Sequence, residues 1–199
     1  FSNLFLLSFT KWRYDRKFTS FFKSIDPSVY FNNYGNNFFF YRLFGVSILV
    51  FSIVNVSLFL VFILNYLGFV KINLSHFLIL FFFLIFISLL SYLINSFLGN
   101  LLKVKRETLA YSFNNFRSLF RFSIFIFIIL NIHHFYFYDT FSFLKITSFF
   151  LIILYYVDST RIIYKFLENI NKGKFYFILY LCTLKFTPWV FIYWFIINI

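Results

Sequence analysis

The chain has 199 residues, 62% hydrophobic and only 12% charged, and its apolar runs of more than eighteen residues exclude an ordinary soluble domain. A transmembrane barrel needs alternating segments of about ten residues, and none is visible. The net charge of +12 raises nucleic acid as a partner, but the cations are spread over separate loops flanking apolar runs, which points to a lipid bilayer and no nucleic acid.

Residue usage is skewed beyond what a bilayer requires. Phe occurs 39 times, Gly five times, Pro twice and Met never, and Ala110 is the only alanine. Lipid accepts Ala, Val and Leu as readily as Phe, so the skew points to an AT-rich gene, from a low-GC bacterium or an organelle. The absence of Met, an initiator included, suggests that the start of the chain is missing or that some residue identities differ. The lone cysteine, Cys182, excludes an internal disulfide and any CxxC metal site. A cleavable signal peptide is not evident.

In chain order, residues 1–10, FSNLFLLSFT, are apolar but reach only about 15 Å as a helix against a hydrocarbon core of about 30 Å. They are expected to be the end of a truncated N-terminal helix. Residues 11–41 mix charge, aromatics and turn formers, as in a cytoplasmic-surface segment lying along headgroups. Complete spans are predicted at 42–69, 74–99, 119–136, 142–157 and 175–199, with basic connectors at 100–118 and 158–174. The expected fold is all-α, a polytopic membrane bundle of five complete transmembrane helices plus the truncated one, forming a single membrane domain.

Charge orients this bundle. Lys11, Arg13, Arg16, Lys17, Lys23 and Arg42 precede the first complete span. Lys103, Lys105, Arg106, Arg117 and Arg121 follow the second, and Arg161, Lys165, Lys172 and Lys174 follow the fourth. The intervening loops carry only Lys71 and Lys145. Cations on alternate short loops place those loops in the cytoplasm or matrix and the C-terminus outside. Lys103, Lys105, Arg106, Arg117, Arg121, Arg161, Lys165, Lys172 and Lys174 are therefore read as facing lipid headgroups or docking a partner. Arg121, three residues into an apolar run, is expected to snorkel to the interface. Glu168 and Lys172 at i,i+4 suggest that the fourth span extends as a solvated helix.

His76, His133 and His134 fall at one predicted depth near the outer surface. Three imidazoles there could ligate haem or a metal, or simply decorate the interface beside Tyr136 and Tyr138. Adjacent helical residues diverge by about 100°, which sets His133 and His134 apart. A transport path would need polar lining, for which Asn55, Ser57, Ser88, Ser91, Asn95, Thr183 and Lys185 are the candidates. Paired carboxylates, nucleophile–base sets, phosphate loops and metal motifs are not found, and no acid is predicted mid-span. An enzyme is therefore not expected.

The closing stretch FYFILYLCTLKFTPW resembles the C-terminal signature of DUF4271, a family of Bacteroidetes inner-membrane proteins that typically ends in LYLCTLEILP and a short apolar tail. Leu179, Tyr180, Leu181, Cys182, Thr183, Leu184 and Pro188 match at that spacing, and Lys185 stands where the family has Glu. The segment RYDRKFTSFFKSIDPSVYFNNY is also similar. The resemblance implies a bacterial inner membrane and carries no activity. By depth alone, Lys185 lies about 16 Å beyond Lys174, near the midplane. A cation there costs about 2.5–3.5 kcal/mol on insertion scales and needs a partner; Pro188 frees the carbonyl of Leu184 nearby. The functional expectation is a non-catalytic subunit or scaffold among other membrane subunits of an inner-membrane assembly. Alternatives are an accessory subunit of a mitochondrial respiratory complex or ATP synthase, a small transporter or channel, and a haem-binding subunit.

Overall fold

The computed structural model describes residues 2–15, 18, 19, 21, 43–101, 103–137 and 141–169. Regular structure among these residues is entirely helical. The helices are α1 (Ser2–Arg13), α2 (Leu43–Tyr66), α3 (Leu74–Leu101), α4 (Lys105–Tyr136) and α5 (Phe141–Asn169). In a bilayer an unpaired backbone amide costs several kcal/mol, so long uninterrupted helices are the form that apolar runs of this length adopt.

Where the helices stop is decided by local chemistry. Apolar residues continue to position 69, which is why a span of 42–69 is predicted, but α2 ends at Tyr66. Gly68 takes φ +79°, the Gly68 amide bonds the Asn65 carbonyl, and the Phe69 amide bonds the Leu64 carbonyl. This is a Schellman cap, with glycine in the left-handed position. The same pattern ends α3. The Lys103 amide bonds Asn100, the Val104 amide bonds Gly99, and Lys103 takes the left-handed φ of 57°.

The largest departure from expectation lies in the connector predicted at 100–118. Most of it is helix: α4 runs 32 residues from Lys105 to Tyr136, about 48 Å at 1.5 Å per residue. The segment KRETLAYSFNNFRSLFR reads as a basic connector by its charge, one that could itself be a surface helix. Yet no Gly or Pro occurs between Gly99 and Gly173, and Thr108, Tyr111, Ser112, Phe116 and Ser118 recur on the face that is buried. Helix α5, by contrast, continues past 157 to Asn169, the helical extension expected beyond the fourth span. Among the described residues, four helices are long and apolar enough to cross a membrane: Leu43–Tyr66, Leu74–Leu101, Lys105–Tyr136 and Ser142–Phe166. The fifth predicted span, 175–199, lies outside the described residues.

Cross-helix contacts set the topology. Phe51 meets Phe120 and Phe127 while Tyr66 meets His133, so α2 and α4 run parallel. Tyr111 meets Phe166, Phe122 meets Tyr155 and His133 meets Phe143, so α4 and α5 run antiparallel. Tyr14 packs on Phe44 and Asn3 on Asn55, laying α1 antiparallel along the first half of α2. Between α3 and α4 the turn is tight. A Cβ on Gly99 would lie 2.1 Å from Thr108 Oγ1 and 3.3 Å from Lys105 Cα, so only glycine admits α4 at this distance.

Among the described residues, two apolar clusters pack the bundle. One gathers Phe18, Phe21, Phe44, Ile48, Phe51, Phe113, Phe116 and Phe120 at the end where the basic residues lie, called here the basic end. The other joins Phe59, Ile126, Leu144 and Leu151 nearer the opposite end. Apolar area alone does not drive helices together in lipid, so association depends on close packing and on polar contacts between helices. The rings supply the packing at favourable edge-to-face angles: Phe21 sits 5.9 Å from Phe113 and 6.0 Å from Phe44.

Candidate functional site

The polar contacts concentrate at the basic end of α4 and α5. Arg117 and Arg121, one turn apart, lie on neighbouring faces of α4. Arg121 Nη2 is 3.7 Å from Asp158 Oδ2 on α5, and Ser118 Oγ donates to the same carboxylate oxygen at 2.5 Å. The side chain of Arg121 is 48% exposed and that of Asp158 22%. Arg117 is different: it is 4% exposed, and its guanidinium lies 5.9 Å over the Phe21 ring, a cation–π contact made away from water. A cavity of about 150 Å³ opens beside them, lined by Phe21, Arg117, Phe120, Arg121, Ile124 and Phe125.

Depth explains why the cluster assembles. Arg121 lies about 22 Å along α4 from Tyr136, and Asp158 lies about 24 Å along α5 from Ser142. The antiparallel hairpin therefore brings them level. If the Tyr136 end marks one edge of a core of about 30 Å, Arg117 sits near the opposite edge and Arg121 about one turn inside it. The sequence alone reads Arg121 as a snorkelling cation and does not join either arginine to Asp158. The exposed half of Arg121 is compatible with snorkelling, but its charge is also paired across the helix interface. Equal distance from the α4–α5 junction is the signal that could have joined them.

Among the other predicted docking cations, Lys103, Lys105, Arg106, Arg161 and Lys165 are exposed at the basic end, and Arg117 alone of those described is buried. Lys172 and Lys174 lie outside the described residues. So does the whole motif Tyr180, Leu181, Cys182, Thr183, Leu184, Lys185 and Pro188.

The three histidines are not gathered into a metal-holding group among the described residues. His133 is 1% exposed, shares a hydrogen bond of 3.2 Å with the Tyr66 hydroxyl, and is walled by Phe62 and Phe143. His134 is exposed beside Phe135. His76 lies in the first turn of α3. Among the described residues no group of three or more His, Cys, Asp or Glu side chains is placed to hold a metal ion.

The proposed lining groups are used within and between helices. Asn55 accepts from Asn3 and donates to the Phe51 carbonyl. Ser57 bonds the Val54 carbonyl and Ser88 the Ile85 carbonyl; Asn95 is buried and Ser91 half-buried. A contact missed from sequence is Ser123 Oγ to Ser52 Oγ, 3.3 Å across the α2–α4 interface, where small side chains let two helices approach closely. Thr183 lies outside the described residues.

The described residues form an all-helical structure in which four helices are long and apolar enough to cross a membrane, as in a helical membrane protein. Over residues 1–196 the chain matches the family described as a domain of unknown function, DUF4271, and it belongs to that family. None of the curated proteins and none of the solved structures matches it.

Proposed function

We propose that this protein is a non-catalytic integral subunit or scaffold of a larger inner-membrane assembly, in a bacterium, with the basic end facing the cytoplasm. The observation that carries this reading is where the polar side chains go. Asn3–Asn55, Ser52–Ser123 and the Ser118–Asp158–Arg121 set close on partners inside the bundle, which suits fixing helices in register better than lining a route for a solute. Outward, α3 presents Phe82, Phe86, Leu89, Leu93 and Phe97, a face that takes lipid or a neighbouring helix. On this reading the chain adds a further span at 175–199, which leaves the C-terminus outside.

The test is gentle extraction from native membranes followed by quantification of co-purifying chains. Stoichiometric partners are expected. An isolated monomer that moves a solute across liposomes would overturn the proposal in favour of a small transporter.

A further inference from the structure

We propose that the open face between α4 and α5 is the docking site for residues 175–199, which return antiparallel to α5 with Lys185 paired to Asp158. The inference rests on the further span at 175–199 in the proposed function and on no other subunit. Three observations commit the face to this occupant. The first is the unused half of Asp158. Ser118 Oγ and Arg121 Nη2 both approach Oδ2, and among the described residues Oδ1 accepts no hydrogen bond. A carboxylate has acceptor sites on both oxygens, so a place for a second cation is left beside Asp158. Lys185 is the only charged residue of 175–199, and a cation inside an apolar run requires a partner of opposite charge.

The second is depth. Asp158 lies about 16 Å along α5 from its end at Asn169, and Lys185 lies about 16 Å beyond Lys174 along a helix. The intervening residues 170–174 reach at most about 20 Å, and packed helices lie about 8–10 Å apart. A return beside α5 therefore brings Lys185 level with Asp158. From there residues 185–199 cover about 21 Å as a helix, matching the distance of about 22 Å from Arg121 to Tyr136 along α4.

The third is the face itself. Phe125, Ile128 and Ile132 on α4 and Ile146, Phe150 and Ile153 on α5 are exposed, at spacings that make one stripe on each helix. The antiparallel pairing sets Ile132 level with Ile146 and Phe125 level with Ile153. Around α5, Asp158 falls between Tyr155, which packs on Phe122 of α4, and this stripe. The two stripes thus flank the Arg121–Asp158 contact and form the walls of one apolar face, with the acid at the depth where the lysine arrives.

The experiment uses the full chain in its native membrane, where Cys182 is the only natural cysteine. Cys182 lies one turn before Lys185, on the same side of a helix, and level with Arg161, which is exposed. Mild oxidation of Arg161→Cys should form a disulfide with Cys182. Leu93→Cys, exposed at the same depth on α3, should form none. Lys185→Gln should lower the unfolding midpoint by about 2–4 °C and leave it unchanged in the Asp158→Asn background. The span itself is tested separately by labelling Asn198→Cys, in a Cys182→Ser chain, with an impermeant maleimide. Labelling from the outer side is expected, and labelling from the cytoplasmic side would remove the span and the proposal with it. Outer labelling with a crosslink from Cys182 to Leu93→Cys or to another subunit, with no crosslink at Arg161→Cys, or with equal midpoint losses for Lys185→Gln in both backgrounds, would overturn the docking alone.

Discussion

Removing either member of the Arg121–Asp158 pair should destabilise the bundle unequally, and the order of the two effects tests how the cluster works. At 3.7 Å the pair is longer than an optimal charge-assisted hydrogen bond of about 2.8 Å. Arg121 is half exposed, so its net coupling belongs near the values for interhelical polar contacts in membranes, about 0.6 kcal/mol on average and about 1.7 at most. A coupling of about 1 kcal/mol is expected. With Asp158→Asn, Arg121 is left unpaired but long enough to extend its charge to the interface, and the loss should be about 1 kcal/mol. With Arg121→Gln, the Asp158 carboxylate remains at 22% exposure, with the Ser118 hydroxyl as its remaining donor in the cluster. A partly enclosed charge stripped of its countercharge costs more, about 2 kcal/mol. The assay is reversible unfolding in bicelles of wild type, the two single variants and the double variant, read as a double-mutant cycle. Two neutral single variants, or a coupling near zero, would refute the reasoning and make the pair a surface contact of no energetic consequence.

Three further outcomes follow from the turns and the aromatic cluster. Gly99→Ala places a methyl against Thr108 Oγ1 and the Lys105 backbone and should destabilise by about 1–3 kcal/mol, the usual range for overpacking; unfolding in detergent measures it. Lys103→Gly relieves a left-handed φ of 57° on a residue with a side chain and should raise stability by about 0.5–1 kcal/mol, seen as a higher midpoint in the same assay. Phe21→Ala empties a site walled by Phe44, Phe113 and Phe120 and should cost about 3 kcal/mol. The N-terminal segment should then loosen, and trypsin should cut faster at Lys11 and Arg13, both exposed at the end of α1.

How much of this was legible in the sequence differs from element to element. Helices α2 and α3 are carried by hydropathy alone, since their apolar runs leave no other stable form in lipid. The end of α2 was harder to place, because Leu67 and Phe69 continue the apolar run while the turn depends on the backbone freedom of Gly68. Helix α4 was divided in two on polarity, although the lack of Gly and Pro after Gly99 already argued for continuity. The cluster of Ser118, Arg121 and Asp158 was not visible because its members are separated by up to forty residues. Their meeting depends on the relative depth of two helices, which a reading of one segment at a time does not supply. Arg117 shows the same gap: its neighbours in sequence suggest a surface, and the Phe21 ring that covers it comes from the distant N-terminal segment.

The central claim, that this chain works as part of a larger membrane assembly, is tested most directly by the mass of the particle that carries it. After extraction from native membranes with a mild detergent, mass photometry should show a particle well above one chain and its micelle. Dissociation of that particle should release at least one different membrane chain in fixed ratio. A monodisperse particle with the mass of one chain, unchanged across mild detergents and lipid nanodiscs, would contradict the claim.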